Sequence, residues 1–274
     1  MFTLSGFADE ISPELDVQIE VLQRLNIRYL ELRGVWGKNV LDLDDAELRR
    51  VKDGFRAANI QVSAIGSPIG KIAIDAPMAP HLAAFERALH VAEYLASPYI
   101  RIFSFFVPEG EAARYRDEVL RRMHLLLDAA AGHPVTLLHE NERHIYGDIP
   151  SRCHDLLSTL NSPQLRFTFD PANFVMCGVK PFDEGYELLA DYTDYLHIKD
   201  GLLAEHKVVL AGEGDGQLPE LIDALLVRGY DGFASLEPHL AIAGASSGYS
   251  GPELFELATV ALRRVLQQTG AQEG

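Results

Sequence analysis

The chain has 274 residues, a formal net charge of −16, 47% hydrophobic and 23% charged residues, a balance ordinary for a globular protein and enough for one large α/β barrel or two smaller domains. No apolar run approaches the roughly 18–20 residues of a membrane span, and lysine and arginine are scattered without the basic stripe that grips nucleic-acid phosphates. The two cysteines, Cys153 and Cys177, form no CxxC pair, and the opening "MFTLSGFADEIS" has neither a basic start nor a long apolar stretch; a disulfide framework, a thiolate zinc site and a signal peptide are therefore not indicated, and a reduced, cytoplasmic setting is expected.

In chain order, "FTLSGFA" (2–8) reads as a strand, and "PELDVQIEVLQRLN" (13–26) as a helix with Leu15, Ile19, Leu22 and Leu25 on one stripe. "IRYLELR" (27–33) is a second strand, followed by helix "DDAELRRVKDGFRAAN" (44–59), which groups Leu48, Val51 and Phe55. Strand "IQVSAIG" (60–66) precedes helix "PHLAAFERALHVAEYLA" (80–96), and strand "YIRIFSF" (99–105) precedes helix "EAARYRDEVLRRMHLLLDAAAG" (111–132). "VTLLHE" (135–140), "LRFTFD" (165–170), "YLHIKD" (195–200) and "GFASLEP" (232–238) are the remaining strands. Their helices are "PSRCHDLLSTL" (150–160), "PFDEGYELLADY" (181–192), "LPELIDALLVRGY" (218–230) and "GPELFELATVALRRVLQQ" (251–268).

Most of these strands are nearly continuous apolar runs, as expected of parallel strands covered by helices. Eight strand–helix units in strict alternation indicate a (β/α)8 TIM barrel of class α/β, a single domain over 1–274. A doubly wound sheet would announce itself with a glycine-rich first turn, and "GFADEISPEL" contains no GxGxxG. The tail "TGAQEG" is expected to be loose.

Catalytic groups of such barrels stand at the C-terminal ends of strands. The fifth strand ends at Glu140, opening the polar run "HENERHIYGD"; the sixth ends at Asp170, the seventh carries His197, and the eighth ends at Glu237. Burying three carboxylates together is costly unless a cation offsets them. Three carboxylates and an imidazole suit one divalent ion, with Mn, Mg, Zn and Co all compatible. Around them, Glu142, Lys71, Lys199 and His239 are candidates to bind substrate, and Trp36 could form an apolar wall against a sugar ring. Lys199 or Asp200 could orient the imidazole, Asp200 equally capping a turn; Glu10 and Arg33 are weaker candidates. "AGEGDG" (211–216) reads mainly as a turn, since Glu213 and Asp215 would repel an anion.

"HENE", "FDPANF", "HIKD" and "SLEPH", with "GFADEISPEL", "YLELRGVWGKNV" and "IGSPIGKI", resemble the xylose-isomerase-like TIM-barrel superfamily along essentially the whole chain. The resemblance implies that Glu140, Asp170, His197 and Glu237 bind the metal. It also implies that Glu140 and Glu237 act as general base and acid, taking and returning a proton next to a carbonyl. Asn173 stands where ketose epimerases of this superfamily usually have a histidine, and is taken as a substrate-binding candidate; a strict ketose 3-epimerase is not implied. The expected activity is isomerisation or epimerisation of a sugar, sugar phosphate or related hydroxy-carbonyl compound. The rival is an inosose-type dehydratase using the same metal; a non-catalytic sugar-binding protein and an endonuclease-IV-like hydrolase follow. The substrate is expected to be a small carbohydrate, with neither nucleic acid nor membrane as partner, and a homodimer is expected by analogy.

Overall fold

In the computed structural model, which describes residues 1–240 and 250–274, all eight predicted strands form. They are β1 (Phe2–Gly6), β2 (Tyr29–Leu32), β3 (Gln61–Gly66), β4 (Tyr99–Ile102), β5 (Thr136–Glu140), β6 (Leu165–Phe169), β7 (Thr193–Ile198) and β8 (Gly232–Leu236). The helices are α1 (Leu15–Arg24), α2 (Asp45–Ala58), α3 (Met78–Leu95), α4 (Ala112–Ala130), α5 (Pro150–Leu160), α6 (Pro171–Val175), α7 (Tyr186–Leu189), α8 (Leu218–Val227) and α9 (Pro252–Thr269).

The strands pair in parallel in the order β1-β8-β7-β6-β5-β4-β3-β2. A parallel bridge between Phe7 and Glu31 joins the two ends of that order and closes the ring. The architecture is therefore a single α/β barrel with helices outside. No described helix is long and apolar enough to cross a membrane.

Alternation along each strand sorts the side chains between two cores. Outward residues pack with the helices in one continuous apolar layer containing Phe2, Leu22, Val51, Phe85, Phe167 and Phe255. Inward residues build a separate plug of Ala64, Leu138 and Tyr195, flanked by Tyr99 and Phe233. A bulge gives β3 one extra residue, Ser63, opposite the Leu30–Glu31 step of β2. The Ser63 hydroxyl bonds Ser5 Oγ at 2.6 Å and Tyr195 OH at 2.8 Å, so the hydroxyls above the plug satisfy one another. Two residues further along β4, β5, β7 and β8 come Arg101, Glu140, His197 and Ser235, which lifts the chemistry onto the C-terminal rim.

Local rules explain the helix ends. Asp44 and Glu47 form a reciprocal capping box at the start of α2, and Asn59 ends it in the left-handed conformation. The predicted helix over 181–192 is instead three short pieces: a π-helical turn Pro181–Gly185, α7, and a 3-10 turn Ala190–Tyr192. Gly185 lies against Pro150 and Phe169, so tertiary packing outweighs the helical period there.

The tail is not loose. Phe2 N–H donates to the Gln272 carbonyl, Gly274 N–H donates to the Phe2 carbonyl (both 2.9 Å), and Glu273 pairs with Arg263. It is fastened beside β1 at the end of the barrel opposite the polar rim.

Candidate metal centre

Each of the four predicted residues is placed by its own strand. Glu140 is the last residue of β5. Asp170 follows β6 and caps α6: its Oδ1 accepts from Asn173 N–H at 2.9 Å. Asn141 clasps the same turn, its amide donating to the Asp170 carbonyl (2.8 Å) and its oxygen accepting from Asp170 N–H (2.9 Å). With Oδ1 engaged as a cap, Oδ2 is left facing the cluster. It accepts no well-aligned hydrogen bond, although the Lys199 ammonium lies 2.7 Å away. His197 lies within β7, and Glu237 directly follows β8.

The four side chains each offer a ligand atom within 4.8 Å of the others, and all four residues are buried. His197 Nδ1 is 3.1 Å from Glu140 Oε1, 3.8 Å from Asp170 Oδ2 and 3.9 Å from Glu237 Oε2. Donors bonded at about 2.0–2.4 Å to one ion stand at such separations. The half-satisfied Asp170 oxygen and the donor set of three oxygens and one nitrogen fit a divalent cation.

Basic groups hold the carboxylates from behind. Arg101 donates to Glu140 Oε2 at 3.0 Å, Arg33 to Glu237 Oε1 at 3.0 Å, and Lys199 to Glu237 Oε2 at 2.8 Å. Burial pushes the Glu140 carboxyl up, but His197 and Arg101 outweigh it and hold the group at about 2. Against the same upward push, Lys199 and His239 hold Glu237 well below the usual carboxylate range. Burial dominates at Asp170 and lifts it to about 7 despite Lys199. Burial opposes charge on His197, yet Glu140 and Glu31 raise it to about 10. The imidazole thus joins Lys199 in supplying positive charge among these carboxylates, a role a divalent ion would take over from the imidazole.

The other predicted residues divide. The Asn173 side chain donates to Glu140 Oε1 (3.2 Å) and to the Asn141 carbonyl (2.9 Å), so with its backbone N–H on Asp170 Oδ1 the residue braces both Glu140 and Asp170. Lys199 spans Asp170 and Glu237. His239 Nε2 lies 3.1 Å from Glu10 Oε1 and 3.3 Å from Glu237 Oε1; burial opposes its charge, but Glu237 and Glu10 raise it to about 9. Arg33 ties Asp9, Glu10 and Glu237 together. Lys71 and Glu142 pair at 3.0 Å, partly exposed, with Lys71 over the Phe103 ring. Trp36 contacts none of the four; its backbone N–H donates to the Pro13 carbonyl and Arg50 covers its ring. Asp200 takes the turn-capping role, accepting from the N–H groups of Gly201, Gly212, Gly214 and Gly216.

Sequence reasoning missed two residues. Arg101, 5% exposed, interrupts "YIRIF", and Glu31, 0% exposed, sits inside "YLELR". The signal was present: a charge in the body of a buried strand is costly unless partnered. Glu31, rather than Lys199 or Asp200, meets the imidazole: His197 Nε2 is 3.1 Å from Glu31 Oε2.

A family model described as xylose isomerase-like TIM barrel matches residues 19–252. No curated protein matches the sequence at a significant level. Among solved structures, the chain is similar to a D-tagatose 3-epimerase-like protein (TM-score 0.77, 15% identity, 98% of each chain covered). It is also similar to the probable 3-DHS dehydratase AsbF of Bacillus anthracis (TM-score 0.73, 18% identity, 96% of this chain and 98% of that one). A third is the IOLI protein, solved with a zinc atom (TM-score 0.72, 15% identity, 98% and 96%). At these identities the likenesses establish the fold.

Proposed function

The chain belongs to the xylose isomerase-like TIM barrel family, and from that premise we propose that it is a divalent-metal-dependent isomerase or epimerase of a sugar, sugar phosphate or related hydroxy-carbonyl compound. The observation that carries this reading is the convergence of Glu140, Asp170, His197 and Glu237, from four consecutive barrel strands, to within 4.8 Å. Epimerase-like and zinc-containing proteins among the similar folds support it.

When bound by these four residues, a divalent ion would polarise a substrate carbonyl or hydroxyl and make the neighbouring C–H more acidic. Glu140 and Glu237 then take and return the proton. Both are ionised at neutral pH, as a base must be, but their cationic partners leave them weak bases. A base works best with a pKa near the operating pH. Substrate oxygens that draw Lys199 and Arg101 away from the two glutamates would raise their basicity at the moment it is needed. Asn173 keeps Glu140 aimed, and His239 serves Glu237 from the solvent side. Lys71 and Glu142 on the rim, with Trp36 in the loop after β2, meet the remoter part of the substrate.

The test is a metal-supplemented screen of ketoses, their phosphates and inosose in D₂O, read by deuterium entering the carbon skeleton. Exchange with a changed stereocentre or moved carbonyl supports the proposal. Exchange with loss of water makes the protein a dehydratase, and binding without exchange removes the catalytic reading.

A further inference from the structure

We infer that Glu31 is a positioning residue that fixes the tautomer of His197 and so prepares Nδ1 to bind the metal; this rests on the metal-centre reading above. The two imidazole nitrogens face different surroundings. Nδ1 looks up into the cluster, 3.1 Å from Glu140 Oε1 and within 4 Å of Asp170 and Glu237. Nε2 looks down into the barrel, 3.1 Å from Glu31 Oε2. A neutral imidazole carries one N–H, and only the other nitrogen can offer a lone pair to a cation. A carboxylate at Nε2 is an acceptor without a donor of its own, so it draws the proton to Nε2 and frees Nδ1.

The surroundings make this assignment specific. Glu31 is fully buried, and its engaged oxygen also accepts from Ser235 Oγ at 2.9 Å. Its second oxygen, Oε1, is buried with no hydrogen-bond partner. A buried acid so poorly paired is weak as a stabilising device, since an apolar residue of similar volume is often as good or better. The imidazole ring is also wedged edge-on by Phe7 (centroids 5.3 Å apart, 70°) and Tyr195 (5.8 Å, 85°). Those contacts resist rotation of the ring, and the carboxylate then decides which nitrogen holds the proton. An outer carboxylate of this kind sets both orientation and basicity of a metal-ligating histidine.

The experiment compares the full-length wild-type protein with Glu31→Leu and Glu31→Gln, each stripped by chelator and titrated with Zn²⁺ against a competing fluorescent chelator. Melting of the metal-free proteins is followed in parallel. Glu31→Leu is expected to weaken zinc binding about 10–100-fold. Glu31→Gln, which keeps an acceptor oxygen, recovers most of that loss. Melting temperature does not track the affinities, as it would for a purely structural residue. In ¹⁵N spectra of the zinc-loaded wild type, His197 carries its proton on Nε2. The inference is overturned by wild-type-like zinc affinity in Glu31→Leu, or by zinc on Nε2 in the wild type. Failure of the wild type to bind any divalent ion would instead remove the metal centre itself, and this inference with it.

Discussion

Glu140 and Glu237 each give one oxygen to an arginine and turn the other toward His197 or Lys199, so a change at either is felt by the chemistry and by a buried cation. Replacing either with glutamine keeps the shape and removes the base. Deuterium exchange should fall by about 10²–10⁴-fold in Glu140→Gln and in Glu237→Gln, measured at saturating metal so that altered affinity does not intrude. His81 gives a pH dependence away from the centre. Its Nε2 accepts from Gly70 N–H at 2.8 Å, holding the loop that carries Lys71. Gly70 has φ +90°, and a Cβ there would meet the Phe103 backbone. Burial, then Arg122, lowers the His81 pKa from its ordinary 6.5. The folded state thus binds its proton less readily than the unfolded one. The contribution of His81 is fully present above about pH 6.5 and is lost as pH falls toward the lower folded value. Urea midpoints should drop between pH 7.5 and 5, with a shallower drop in His81→Leu; equal slopes would contradict this.

Among the elements, the glycine-rich loop after β7 depends most on one side chain. Asp200 Oδ1 accepts from Gly201 and Gly216, and Oδ2 from Gly212 and Gly214. Side chains at 214 or 216 would run into that carboxylate, which explains the glycines there. In Asp200→Asn an NH₂ group must face two of those N–H donors, so a loss of about 1–3 kcal/mol is expected by urea denaturation. Hydrophobic runs were a good guide to elements because the period is a direct image of burial: all eight strands and seven of the eight helices were legible from them. The exception, 181–192, has the right period, but it is divided where Gly185 packs against Pro150, and such a contact leaves no local trace. The fastening of Gln272 and Gly274 to Phe2 was hidden for the same reason: backbone groups make it, whatever the side chains are.

For the whole molecule, the ring of strands is what gathers Glu140, Asp170, His197 and Glu237, spread over 98 residues of sequence, into one cluster. Their positions were legible because each polar residue ends or interrupts an apolar run at the strand's exit. Their convergence needed the count of eight and the family resemblance. Glu31 and Arg101 lie in strand bodies rather than at strand exits, so their charge signalled a buried partner without telling that the partner belongs to the cluster. Since the centre joins four strands, its occupancy should brace the entire barrel. Saturation at 100 times the dissociation constant should add about 2.7 kcal/mol, seen as a lower melting temperature after chelation and its recovery with Mn²⁺ or Zn²⁺. The meeting of Met1 and Gly274 beneath β1 has a consequence for engineering. A short peptide could join these two residues, with a break opened at the exposed turn Glu109–Gly110; such a circular permutant should retain its ring of strands and its cluster of carboxylates and imidazole, since neither is built from residues at the joint or at the break.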